Sequence, residues 1–188
     1  EAVVSTIVSD NYDAGVQCAK DMMKKKTSAN IIIVNQKALN SINERVKGFR
    51  NTIKGHPQYK IVEEKESAAE FEIAMKVMEK IIYEKKNYDV VMGGNDPIAL
   101  GCIAAMQMTD KTDQVMVYGV DGSPDGKAMI KAGFLEGTAA QSPIKIGEKA
   151  VQTAYSYLAG ETVKKHVTIP VELITADNLK FYDMTGWQ

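Results

Sequence analysis

The sequence predicts an α/β fold, a doubly wound parallel-sheet sandwich, on three observations. The short runs Asn30–Val34 (N-I-I-I-V), Asp89–Met92 (D-V-V-M) and Val115–Tyr118 (V-M-V-Y) are apolar on both faces, as strands covered by helices on each side must be. Amphipathic segments alternate with these runs, the pattern of βαβ units. Each run is followed by Gly, Asn or Asp and then by a helical period, so polar residues collect where such sheets bind their ligands, at the carboxyl ends of the strands.

Taken in order, residues Glu1–Ser5 read as a strand, and helices are expected over about 11–26, 42–54, 69–85, 96–108, 124–132 and 143–159. The third is the clearest, with Ala74, Met75, Val77, Met78, Ile81 and Ile82 recurring at helical spacing. Asp96 followed by Pro97 has the composition of a helix cap and first turn. The lysine runs 24–26, 85–86 and 164–165 fall at helix ends or in loops, where cations favour the negative end of the helix dipole. Right-handed crossovers between successive parallel strands then produce the doubly wound arrangement.

Bulk properties exclude several function classes. With 188 residues, 45% hydrophobic and 25% charged, the chain has an ordinary globular composition and enough length for one full core or one and a half small lobes. A net charge of −1 argues against nucleic acid as a partner, which requires a clustered basic excess. No apolar run approaches the roughly 20 residues of a membrane span. Cys18 and Cys102 lie on apolar helical faces, and His56 and His166 stand alone in polar surroundings. That pattern points to buried thiols rather than a metal site, which needs ligands at matching spacing. Neither glycine-rich phosphate motif is present, nor is any nucleophile with a nearby base. The expectation is a protein that is not an enzyme and needs no cofactor.

The basic residues carry a more specific signal. Arg45 and Arg50 are the only arginines among 23 basic residues, and arginine is favoured where a planar fork must donate several hydrogen bonds at once. Arg45 follows the strand ending at Val34; Asn95 follows Met92, Asp121 follows Tyr118, and Gln141 follows Leu135. Arg, Asn, Asp and Gln together suit vicinal hydroxyls, each of which both donates and accepts. Each also has a structural alternative. Asn95 can belong to the turn before the helix that Asp96 caps, Asp121 can cap the helix containing Lys127, and Gln141 can be a plain loop residue.

Five motifs in register extend this reading: V-V-S-T-I-V-S-D-N (3–11), E-R-V-K-G-F (44–49), G-N-D-P-I-A-L-G (94–101), V-Y-G-V-D-G-S-P-D-G (117–126) and L-E-G-T-A-A-Q-S-P-I-K-I-G (135–147). With the tail G-E-T-V-K-K-H-V-T-I-P-V-E-L-I-T they resemble the second half of a type I periplasmic sugar-binding protein, nearest the ribose-binding branch. The resemblance implies ligand contacts by Arg45, Asn95, Asp121 and Gln141. It leaves Arg50 to pair with an acid or face solvent. Where the family places an aromatic ring against the sugar, this chain has Ala69; Phe71 replaces it only with a two-residue shift.

The resemblance further implies two lobes joined by three crossovers, near 9–11, 141–143 and 172–173. Residues 10–141 plus 173–188 would form one complete lobe. Residues 1–9 plus 142–172 would be the remnant of another, the incomplete one in this chain. The implied function is the substrate-binding component of an ABC-type sugar importer, periplasmic or extracellular and lipid-anchored. Its expected partners are a monosaccharide, an ABC permease and the missing N-terminal lobe. The alternative is the sugar-sensing domain of a lactose-repressor-type regulator or a sensor kinase. A leftover helix around Ile146, Ala150, Ala154 and Leu158 would expose an apolar face and favour self-association.

Overall fold

The computed structural model describes residues 3–109 and 115–187. In chain order the elements are β1 (Thr6–Ser9), α1 (Asn11–Lys25), β2 (Ala29–Asn35), α2 (Asn40–Ile53), β3 (Tyr59–Glu66), α3 (Phe71–Tyr83) and β4 (Val90–Gly93). There follow α4 (Asp96–Gln107), β5 (Met116–Asp121), α5 (Pro124–Lys131), β6 (Gly137–Ala140), α6 (Pro143–Leu158), β7 (His166–Ile169) and β8 (Glu172–Thr175). The expected alternation is therefore present, and its apolar runs are central strands: Ile31, Ile32, Ile33, Val90, Val91 and Met92 are fully buried.

Two sheets form. Six strands in the order β3-β2-β4-β5-β6-β8 make the main sheet, parallel throughout except that β8 runs antiparallel to β6. β1 and β7 pair in parallel as a separate two-stranded sheet. In the main sheet the chain first steps outward from β2 to β3 and then returns to β4. Under the right-handed crossover rule that reversal places α2 and α3 on opposite faces. α1 packs on α2, and α3 packs on α4. The point of reversal, between β2 and β4, opens a crevice at the carboxyl ends of those strands.

The α1–α2 contact is unusually close. A Cβ on Gly15 would fall inside contact distance of the Arg45 carbonyl oxygen, and one on Gly48 inside that of the Tyr12 carbonyl oxygen. The two helices thus meet backbone to backbone, and the turn that carries Arg45 is held against the start of α1.

Several local expectations are corrected. The first strand is Thr6–Ser9 rather than 1–5: its ladder with β7 begins at Thr6, Val3 lies outside it, and residues 1–2 lie outside the described residues. Leu135 does not end a strand; Gly137–Ala140 is itself β6, between β5 and β8. β5 runs on to Asp121 instead of stopping near Tyr118. β3, not anticipated, is an edge strand whose pairing with β2 shifts register between Ile31 and Ile32. α3 starts at Phe71, because Ala69 takes a positive φ of 60° that no helix continues.

The cysteines are both buried and free. Lys127 is also fully buried; its ammonium donates to the carbonyl oxygens of Asp183 and Gly186 and ties the C-terminal segment to α5. Among the described helices α6 alone has no buried residue, and Leu158 at its end is 80% exposed. Three short connections join the two sheets: Asp10 between β1 and α1, Gln141–Ser142 between β6 and α6, and Pro170–Val171 between β7 and β8.

Candidate functional site

Three of the residues singled out in the sequence meet at the carboxyl edge of the main sheet. α2 delivers Arg45, which is only 4% exposed. Its Nη1 donates to Oδ1 of Asp121 at 3.3 Å and to the Gly94 carbonyl oxygen at 2.9 Å, and its Nε donates to Oδ1 of Asn11 at 2.9 Å. Gln141 donates from Nε2 to the same Asp121 oxygen at 2.7 Å. One carboxylate oxygen therefore receives both a guanidinium and an amide. Among the described residues, Nη2 of Arg45 and Oδ2 of Asp121 engage no side chain. The Asp96 backbone amide also hydrogen-bonds the Asp121 carboxylate, so the capacity to spare lies in Nη2 and in the remaining carboxylate lone pairs.

Burial dominates the electrostatics. Desolvation pushes the Asp121 carboxyl up to about 6, opposed by the Arg45 charge and reinforced by the nearby Asp96 carboxylate. Arg45 is lowered, again chiefly by burial and against the pull of Asp121. Removing these two charges from water costs more than their mutual attraction returns. The backbone is strained at the same place: Asp121 has φ 145°, followed by Gly122 at φ 69°. A non-glycine residue in that region costs about 1–3 kcal/mol, and such strain concentrates at functional sites.

The remaining sequence-derived residues lie elsewhere or play other parts. Asn95, not Asp96, caps α4: its Oδ1 accepts from the Ile98 amide at 3.0 Å, while its Nδ2 reaches the Ala69 carbonyl oxygen at 3.4 Å. Asn95 thus borders the cluster, next to Gly94, without a hydrogen bond to Arg45, Asp121 or Gln141. Asp96 turns inward and is fully buried. Its carboxylate accepts from the Ser123 amide and hydroxyl and from the Thr138 hydroxyl, at 2.6–2.8 Å. It joins α4 to the β5–α5 turn and to β6. Nor does Asp121 cap α5; Ser123 does, accepting from the Gly126 amide.

Phe71 opens α3 and lines a surface groove with Leu100, Ile103, Ala128 and Met129 of α4 and α5. No member of the Arg45 cluster lines that groove. Ala69 offers a methyl group and a carbonyl at the edge of the cluster, and no ring. Arg50 pairs with Glu64 at 2.5 Å on the exposed side of α2.

Two residues that sequence reasoning passed over belong to the cluster. Asn11 supports Arg45, and its Nδ2 donates to the Ser9 carbonyl oxygen at 3.1 Å. The Ser9 hydroxyl donates to Oε1 of Gln141 at 2.7 Å. In the sequence both lie in the motif V-V-S-T-I-V-S-D-N, Ser9 at the end of β1 and Asn11 two residues on, and nothing local marks either as part of the cluster.

Comparison with known proteins identifies the family of the chain. Residues 1–162 match the model of the periplasmic binding protein domain. The ribose import binding protein of Salmonella typhimurium is 31% identical over 175 residues, which are 92% of this chain and 58% of that protein. An ABC transporter solute binding protein from Bacillus halodurans, solved with bound myo-inositol, superposes with a TM-score of 0.89 at 26% identity, over 95% of this chain and 63% of that one. The Caulobacter myo-inositol binding protein, bound to myo-inositol, gives a TM-score of 0.84 at 28% identity over 92% of this chain and 60% of its own. The chain thus spans about three fifths of the length of these relatives. With residues 1–162 of its 188 matched by the family model and the crevice at the sheet's carboxyl edge furnished with a fork, a carboxylate and amides, this chain belongs to the periplasmic binding protein family.

Proposed function

We propose that this chain is part of the substrate-binding component of an ABC-type sugar importer, acting outside the cytoplasm and binding a neutral polyol without covalent chemistry. One observation carries the reading. Arg45, which is buried, and Gln141, which is half-buried, both donate to the half-buried carboxylate of Asp121, and the unspent donors and acceptors of this group point to a ligand rich in hydroxyls. A hydroxyl can accept from the guanidinium and donate to the carboxylate at once, so vicinal hydroxyls match the pair better than a purely anionic or purely cationic ligand would. Asn95 is assigned to the rim of the same site. Ribose import in one curated relative, allose binding in another from Escherichia coli and inositol binding in two solved neighbours make a pentose, a hexose or a cyclitol the expected ligand class.

The main sheet with its helices is assigned to one complete lobe, residues 10–141 plus 173–188. The β1–β7 pair with α6 is assigned to a second, residues 1–9 plus 142–172. Relatives that extend well beyond the matched region, and a helix with no buried residue, both support this division. The polyol would lie between the lobes, over the Arg45–Asp121 pair.

The test is a backbone-amide NMR titration of the chain with D-ribose, D-allose and myo-inositol, each to high millimolar concentration. Saturable shifts centred on Arg45, Asn95, Asp121 and Gln141 are expected for at least one polyol. Shifts from none of them, or shifts confined to other faces, would overturn the assignment.

A further inference from the structure

Gln141 is a residue whose usefulness depends on which way its amide faces. The two ends of that amide are opposite in character, Oε1 accepting and Nε2 donating. Next to a carboxylate only one orientation is favourable, with nitrogen towards Asp121. A second group selects the same orientation from the far side, because the Ser9 hydroxyl donates to Oε1 at 2.7 Å. Ser9 is itself 4% exposed and ends β1. Arg45 is handled alike. Its Nε–H is taken by Asn11 Oδ1, while Asn11 Nδ2 is spent on the Ser9 carbonyl oxygen. That orients Asn11 in turn and fixes the guanidinium plane that presents Nη1 to Asp121 and leaves Nη2 open.

Both supporting residues flank Asp10, the connection between β1 and α1, and Gln141 begins the connection between β6 and α6. The third connection is held at the same helix, where Gln17 of α1 donates to the Val171 carbonyl oxygen at 2.9 Å and accepts from the Leu173 amide at 2.8 Å. The side chains that aim the site therefore stand on the segments joining the two sheets.

We infer that Ser9 and Asn11 are positioning residues for the polyol site, Ser9 setting the donor–acceptor polarity of Gln141 and Asn11 setting the plane of Arg45. This rests on the function proposed above. It goes further in making ligand affinity depend on two residues that need not touch the ligand, and in coupling the geometry of the connections to that of the site. A change in the path of β1 into α1 would move Ser9 and Asn11, and with them the hydrogen-bonding face offered to a hydroxyl.

The experiment compares the wild-type chain with Ser9→Ala, Ser9→Thr and Asn11→Ala. Three signals are followed by NMR: the Asp121 carboxyl carbon across pH 4–8, the Gln141 side-chain amide and the Arg45 Nε–H. Affinity for D-ribose and myo-inositol is followed in parallel. Besides Gln141, the charged groups facing Asp121 are Arg45 and Asp96, both unchanged in every variant. Ser9→Ala is expected to raise the Asp121 midpoint, broaden or double the Gln141 amide signals and weaken polyol binding about three- to tenfold; Ser9→Thr, which keeps the hydroxyl, should restore all three. Asn11→Ala should speed exchange of the Arg45 Nε–H at least several-fold. Unchanged Asp121 and Gln141 signals in Ser9→Ala, together with an unchanged Arg45 signal in Asn11→Ala, would overturn the inference. If the wild-type chain binds neither polyol, the proposed function loses its support, while the NMR signals still decide whether Ser9 and Asn11 position the cluster.

Discussion

Replacing Asp121 by Asn should make the protein more stable at neutral pH and make it a poorer binder. In the fold the Asp121 carboxyl titrates near 6, against an ordinary value of 3.8, because burial outweighs the help of Arg45 and Gln141. For an acid raised in this way the native state holds its proton more tightly than the unfolded chain does. The contribution to stability is therefore fully present below about pH 4 and is lost as pH rises towards and through 6. At pH 7.5 the ionised side chain costs about 3 kcal/mol relative to an unperturbed carboxylate. Asn is close to isosteric, and its Oδ1 can still accept from Arg45 and Gln141, so most of that cost should be recovered. Urea unfolding of wild type and Asp121→Asn should differ by about 2–3 kcal/mol at pH 7.5, in favour of the variant, and by under about 1 kcal/mol at pH 4. Titrating groups not coupled to Asp121 are common to both proteins and cancel in the comparison; the coupled ones are Arg45 and Asp96. Polyol binding should fall by tenfold or more, since Asn presents a weaker acceptor to the ligand hydroxyl. A variant less stable than wild type at pH 7.5, or a stability gap that does not change with pH, would refute the account of Asp121 as a carboxylate held at the expense of the fold.

Four further outcomes are expected. Asp96→Ala should cost about 3–5 kcal/mol in urea unfolding, well beyond the ~1 kcal/mol of a lost helix cap, because it strands the Ser123 and Thr138 donors that the buried carboxylate satisfies. Arg45→Lys should weaken polyol binding by about 1.5–3 kcal/mol and, since the ammonium cannot reach Asn11, Gly94 and Asp121 together, destabilise the fold by about 1–3 kcal/mol. The exposed Arg50–Glu64 pair makes Arg50→Lys worth under about 1 kcal/mol on either measure. Sedimentation of the 188-residue chain should show concentration-dependent association through α6, where Ile144, Val151, Tyr155 and Leu158 are exposed, with polyol dissociation constants near millimolar; a monomer with micromolar affinity would refute both expectations.

What the sequence by itself determined is what periodicity and composition encode. Continuous apolar runs at Ile31–Val34 and Val90–Met92, alternating with amphipathic segments, fit central strands of a covered sheet, so the α/β class and the carboxyl edge followed from the two patterns together. Arg45 stood out because arginine is rare in this lysine-rich chain, and Asp121 and Gln141 because they end or follow strands. The tertiary structure decided everything that turns on a single residue step or on contact between distant segments. Asn95 and Asp96 are equally good cap formers, and only the placement of Ser123 and Thr138 draws Asp96 inward and leaves the cap to Asn95. β3 is charged along an edge and β6 is built of small residues, so neither carries a hydrophobic pattern; their pairing with β2 and β5 makes them strands. Ser9 and Gln141 are 132 positions apart, and no local pattern records that one aims the other. Side-chain period is a property of short stretches of chain, whereas the orientation of the Gln141 amide is set by whatever the fold brings to its two ends.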